Sequence, residues 1–385
     1  MTRACRECLT RTWLLARLGG HLDPVRSQID ALLALPDREL LAAVAGQQRG
    51  AIERERNRVD PAELAETARA AGVEMVCRCD PGYPSRLHDL EAPPAVVHVA
   101  GGLERFLEFA EAELVAIVGT RRASAYGLEM AHSLGRGLAA SGVTVVSGMA
   151  RGIDTAAHQG VLQVPAHRGA LQPGGALQPG GALQPGGALQ PGGALAVLPG
   201  PAERPYPAGQ RGLHRQVRAA GVAVSELPCG AGVRRWSFRA RNRIIAGLAA
   251  LTVVVEASER SGALLTADTA RLLGRQVGAV PGRVTTAQAA GPNALLAGGA
   301  TVIRGVQDVL DCLYGVGIRS ACDDGRVPPD ADQRRVLRAL GEGRSAAGAL
   351  REAGIAAERG LALLSQLEIE GWVRRGRGGS LTVIP

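Results

Sequence analysis

Two stretches between residues 114 and 160 run an apolar segment into a short glycine-rich turn that opens a helix, LVAIVGTRRASAYG and VTVVSGMARGIDTAAH. The first turn places Gly119, Thr120, Arg121 and Arg122 at a strand end, and the second places Ser147, Gly148, Arg151 and Gly152 at the next. In an open parallel sheet both ends fall on the same carboxyl edge, where unpaired helix N-terminal N–H groups and the helix dipole attract anions. The pair therefore reads as a phosphate-binding floor. A third turn follows the apolar run 251–256, where Ser261, Gly262 and Thr266 suit phosphate or sugar contact, although helix capping selects the same residue types. The densest basic segment lies just before it. Arg234, Arg235, Arg239, Arg241 and Arg243 fall within ten residues, and no Asp or Glu occurs between Glu226 and Glu256. Trp236 and Phe238 are interleaved among these arginines in a chain that is only 3% aromatic. Arginine with aromatics tracks a single-stranded backbone while stacking bases, worth roughly 1–3 kcal/mol per base. The plainer alternative is that one or both rings pack in the core.

Catalytic groups are harder to place. Asp154 and His158 stand four residues apart on the helix after Gly152, close enough to meet on one face. A carboxylate–imidazole pair beside a phosphate can act as a general base. The favoured reading is structural, with Asp154 supporting the turn and His158 packed beneath it, because no serine, cysteine or second carboxylate is placed as a nucleophile or metal partner. No catalytic residue is expected. Seven cysteines, an odd number, argue against a disulfide framework. Cys5-x-x-Cys8 and Cys77-x-Cys79 could together supply four thiolates, but the second spacing is poor for a zinc ribbon and no histidine cluster helps. The expectation is ordinary reduced thiols, with neither metal nor cofactor.

The elements that must position these residues follow from composition and pattern. A chain of 385 residues with 46% hydrophobic content is long enough for two or three cores. Its net charge is +8, and every one of its 44 basic residues is arginine, so its positive surface is built of planar forks that bind phosphate bidentately. No apolar run is long enough to span a membrane and the N-terminal stretch is broken by arginines, so a cytoplasmic protein without a membrane partner is expected. Residues 1–65 read as a helical module of sterile-alpha-motif or helix-hairpin-helix type, and 66–110 as a connecting segment in which VVHVA is a strand. From 111 to 315 apolar runs at 114–118, 143–147, 195–198, 222–226, 251–256, 276–280 and 300–303 alternate with helical segments. Such runs imply a doubly wound, Rossmann-like α/β domain with a parallel sheet covered on both faces. Within it the hexapeptide GALQPG recurs in register over 169–192, too few copies to bury a core, and reads as an inserted surface loop. After a linker at 316–330, residues 331–385 predict three helices and a hairpin carrying Arg374, Arg375 and Arg377, the pattern of a winged helix.

Several segments together resemble one family. IVGTRRASAYG, SGMARGIDTAAH, LPGPAERPYP, SELPCG, FRARNRIIAGL, VVVEASERSGALLTA and VPG look like successive motifs of the DNA-processing protein A (DprA, or Smf) family, with DPGYPSRL upstream. The resemblance implies a protein that binds and protects single-stranded DNA and loads RecA onto it in natural transformation and homologous recombination. It also implies no catalytic turnover and a homodimer formed through the sheet domain. Carried over, Gly119, Thr120 and Arg121 would bind a DNA phosphate, Ser147, Gly148 and Gly152 would line the same pocket, and Arg241, Asn242 and Arg243 would supply its basic wall. The chain departs from the family pattern at Arg239-Ala240 after Phe238 and at Ala208 after Tyr206-Pro207. Two other classes remain open: a small-nucleotide enzyme or sensor using Asp154 or Glu256 on the ribose, and a duplex-binding regulator acting through the winged module. Deleting three GALQPG copies is expected to leave soluble expression and ligand binding intact, and loss of soluble protein on that deletion would refute the surface-loop reading.

Overall fold

In a computed structural model, which describes residues 4–164, 192–322, 329–376 and 379–383, the apolar runs become short strands whose residues are almost all buried. They are β1 Glu74–Cys77, β2 Val96–Ala100, β3 Leu114–Val118, β4 Thr144–Ser147, β5 Ala194–Val197, β6 Val222–Ser225, β7 Leu251–Val254, β8 Gln276–Ala279 and β9 Thr301–Val302. The sheet order is β1-β2-β6-β5-β4-β3-β7-β8-β9. From β6 to β9 every neighbouring pair is parallel, while β1–β2 and β2–β6 are antiparallel. The sheet is therefore mostly rather than wholly parallel. The segment 66–110 does more than connect, because it supplies a hairpin that covers the β6 edge. EMVC was not legible as a strand, being four residues long without a measurable period.

Alternation along β3 shows why both faces must be covered. Leu114, Ala116 and Val118 enter one core with Phe106, Ile244 and Ile245, while Val115 and Ile117 enter the opposite core with Leu134, Leu138 and Ile153. The helices Arg235–Leu248 and Gly262–Leu272 thus lie on one side of the sheet, and Ala125–Ala140 and Ile153–Gln163 on the other.

The chain divides into two compact units, 1–321 and 322–385. In the first, the N-terminal helices pack Leu14, Leu15, Leu18, Leu22 and Ile29 around Trp236, which is only 1% exposed. Polar contacts fix the same seam: Thr12 Oγ1 donates to the Glu226 carbonyl at 2.6 Å, and Asp23 accepts from the Trp236 N–H at 3.0 Å. The second unit has three helices, Ala331–Gly341, Ala346–Glu352 and Ala357–Ile369, followed by antiparallel strands Val373–Arg375 and Leu381–Val383. It has its own core of Val336, Leu350, Leu364, Leu367 and Val373. Arg377 and all of the GALQPG array except Gly192 lie outside the described residues. Among the described residues no helix is long and apolar enough to cross a membrane.

A buried ion pair locks the Arg235–Leu248 helix to the end of β6: Arg243 donates to Glu226 at 2.6 Å, with both side chains less than a tenth exposed. Removing one partner of such a pair strands the other charge, at a cost of about 3–5 kcal/mol. Glu226→Gln is expected to destabilise the first unit on that scale, read from the urea midpoint at constant m-value.

Candidate functional site

Strand order reverses at β3, whose neighbours β4 and β7 lead in opposite directions through the sheet. Crevices for ligands form outside the carboxyl ends of strands at such a switch point. Here the turns after β3, β4 and β7 meet there, and their glycines are dictated by crowding. A Cβ on Gly119 would stand 2.5 Å from Ile153 Cγ1 and 2.8 Å from the Glu256 carbonyl. Gly152 has φ +82°, and a Cβ there would lie 2.3 Å from the Thr120 carbonyl oxygen. Backbone bonds interlock the turns: Thr120 N–H donates to the Glu256 carbonyl at 2.7 Å, and Ile153 N–H to the Thr120 carbonyl at 3.3 Å.

The carboxylates at this edge are committed to structure. Glu256 accepts from Ser124 Oγ at 2.5 Å and from Ser124 N–H at 2.9 Å, fixing the cap of the Ala125–Ala140 helix. Asp154 closes the cleft floor and accepts from the Ala150 N–H at 3.3 Å. Burial pushes its pKa up, opposed by the nearby Arg241 charge. His158 is fully buried, and desolvation holds it neutral with a pKa of about 4. Asp154 thus braces the second turn through Ala150, and His158 lies one helical turn further along, buried in the interior.

Arg241 is the buried cation of the site. Its guanidinium donates to the Gly148 carbonyl at 2.5 Å and also to the Val197 carbonyl. Burial lowers its pKa to about 10, partly offset by Asp154, so it stays charged at neutral pH. Above it the exposed Arg121 lies over the Phe238 ring at 4.8 Å, and Tyr206 meets the same ring edge-on at 5.2 Å. Arg121 and Phe238 line two adjoining clefts, and Tyr206 lines the smaller of them. The larger, of about 710 Å³, takes in Gly119, Thr120, Arg239, Asn242, Ser261 and Thr266. The smaller, of about 260 Å³, is walled by Gly148, Arg151, Pro199 and Tyr206. Arg122 and Arg241 line both. Among the described residues no carboxylate pairs with Arg121, Arg122 or Arg151, whereas Arg239 bonds Asp30 at 3.1 Å.

Most of the sequence-predicted residues converge here, with four differences. Trp236 is a core residue and offers no base a face. Arg243 is buried against Glu226 rather than in the basic wall. Ser147 is buried and spends its hydroxyl on the Ile117 carbonyl at 2.6 Å. Gly152 shapes the site from beneath, packed on the first turn. Sequence reasoning missed Pro24, Arg26 and Ser27, which close the larger cleft from the N-terminal helices. Nothing local in that region signals them, since only the tertiary fold brings them there.

A mostly parallel sheet covered by helices on both faces, with interlocked glycine–arginine turns at its switch point, defines a protein of the doubly wound α/β class. The chain belongs to the family of DNA recombination-mediator protein A, whose model matches residues 74–177 and 183–314. It is 40% identical over 237 residues to a putative DNA processing protein DprA of Mycobacterium tuberculosis, a match covering 60% of this chain and 54% of that relative's length. It is 31% identical over 322 residues to the Smf protein of Synechocystis, covering 82% of this chain and 72% of the relative. The X-ray structure of DNA processing protein A from Streptococcus pneumoniae superposes with a TM-score of 0.58 at 26% identity, covering 79% of this chain and 95% of that one.

The buried histidines set a pH dependence. His98 and His158 are each held near pKa 4 by burial, against about 6.5 when unfolded. A depressed folded pKa contributes stability that is complete above the unfolded value and is lost as pH falls towards the folded one. The thermal midpoint is expected to drop between about pH 6.5 and 4, and His158→Asn should flatten that limb by roughly 3 kcal/mol. Scanning calorimetry of both proteins across this range checks it, and parallel pH profiles would contradict the assignment.

Proposed function

We propose that this protein binds single-stranded DNA and acts as a recombination mediator rather than as an enzyme. The observation that carries the reading is the Arg121–Phe238 stack bordering two arginine-lined clefts, with the nearby carboxylates tied into the turns. Two adjoining anion sites suit successive phosphates of a strand better than one mononucleotide. Arg121, Arg122, Arg151 and Arg239 neutralise backbone charge, and the turn amides around Gly119, Thr120 and Gly148 hold one phosphate. Asn242, Ser261 and Thr266 contribute polar contacts on the far wall, with Arg241 supplying fixed charge from below. Phe238 and the guanidinium on it offer a surface for a base without reading sequence. A small-nucleotide enzyme would need a free carboxylate at the ribose, and Glu256 is occupied by Ser124.

Family membership supports the finer assignments: protection of incoming DNA, RecA as the recombinase partner, a role in natural transformation and homologous recombination, and a cytoplasmic homodimer paired through the sheet domain. Two protomers would set two sites on one strand and raise avidity. We read the second unit, with its three helices and strand pair, as a winged-helix module accessory to this site.

Fluorescence anisotropy with oligonucleotides of increasing length, a duplex and mononucleotides tests the reading. Affinity should rise with length, and Arg121→Ala should weaken single-strand binding about ten- to a hundredfold, the scale of a lost charge-assisted phosphate contact. The same substitution should reduce the slope of log K against log salt by about 0.7. Removing residues 322–385 should leave most single-strand affinity in place. Equal affinity of wild type and Arg121→Ala would defeat the assignment.

A further inference from the structure

Cys5, Cys8, Cys77 and Cys79 come from two segments about seventy residues apart, yet their Sγ atoms all lie within 4.8 Å of one another. All four are free thiols, and the Cys8–Cys79 Sγ separation is 3.7 Å, far from the roughly 2.05 Å of a disulfide. A zinc ion with Zn–S bonds of about 2.3 Å sets tetrahedral S···S edges of about 3.8 Å. The Cys8–Cys79 separation matches such an edge, and the remaining sulfurs lie close enough to close around one ion.

We propose that these four cysteines bind a structural zinc ion, a site separate from the DNA cleft and independent of the function proposed above. The local backbone suits thiolates. Cys5 is the N-cap of the Arg6–Arg17 helix and Cys8 lies in its first turn, where the dipole favours negative sulfur. Cys77 ends β1 and accepts the Cys5 N–H on its sulfur at 3.3 Å, the kind of outer-shell bond that orients a metal ligand. The turn after β1 is fixed by Asp80 N–H to the Cys77 carbonyl at 2.9 Å and Gly82 N–H to Asp80 Oδ1 at 2.8 Å, which returns Cys79 to the cluster. Cys8 and Cys77 are buried beside Met75, Val96 and Ala202, and Cys79 is exposed, leaving an entry path for the ion. The short second spacing argues against a zinc ribbon, but not against this arrangement, in which a helix start and a hairpin turn each present two sulfurs. The ion would staple the first helix to the edge hairpin of the sheet.

The test uses the full chain purified under reductant. Elemental analysis should find about one zinc per chain, and Cys8→Ser/Cys79→Ser should lose it. Thiol alkylation read by mass spectrometry gives a measurement that needs no variant. Cys5, Cys8, Cys77 and Cys79 should be protected in the zinc-loaded protein and react after chelation, with Cys229, Cys312 and Cys322 as internal references. Chelation should also lower the thermal midpoint, and zinc should restore it. Zinc retained by the double variant, identical alkylation with and without zinc, or a Cys8–Cys79 disulfide in the metal-free protein as purified would each overturn the proposal. Oligonucleotide affinity is a separate readout, so failure here leaves the DNA reading untouched.

Discussion

The buried guanidinium of Arg241 is the constraint on which the site depends. It reaches from the Arg235–Leu248 helix across the carboxyl edge and binds carbonyls following β4 and at the end of β5. A desolvated cation is costly unless its donors are satisfied, so the helix has little freedom to slide along the sheet. That fixed position places Phe238 and Arg239 at the cleft. A Cβ on Gly148 would fall 2.1 Å from the Arg241 guanidinium, so glycine at the second turn is a packing requirement of this arginine before it is a property of any ligand.

The carboxylates set the sign of the surface by their absence from it. Glu256 is consumed in capping a helix through Ser124, Glu226 in pairing Arg243, and Asp154 in holding the second turn beneath Arg241. Each is buried and braces a turn or a helix rather than pairing the exposed arginines. Among the described residues Arg121, Arg122 and Arg151 are thus left without a carboxylate partner. Arg239 is the exception, since Asp30 already holds it and a bound phosphate would have to compete with or share that contact.

Strand runs were the most legible part of the sequence, because strands buried on both faces read as continuous apolar stretches. The glycine–arginine turns were legible for the same reason, being punctuation between those strands. What misled was the basic segment, read as charge and aromatic content without a helix face. Residues two apart on a helix point in nearly opposite directions. Trp236, Ala240 and Ile244 recur at helical spacing and form the buried stripe, which leaves Phe238 and Asn242 facing the cleft. Applying the same periodicity would have turned Arg243 inward. The four cysteines were legible as a possible set but their convergence was not, since the two halves meet only once β1 pairs with β2 and the first helix docks.

The region outside the family match therefore bears on the site within it. The matched region begins at residue 74, yet the N-terminal helices bury Trp236, cap its helix through Asp23, hold Arg239 through Asp30 and line the larger cleft with Arg26. Arg241 anchors the helix from the sheet side, and these contacts anchor it from the other. The N-terminal helices thus close one side of the larger cleft, whose other walls are the turns and the Arg235–Leu248 helix. Pro24, Arg26 and Ser27 border the same cleft as Gly119, Thr120 and Arg121, so helices outside the matched region help to bound the site within it.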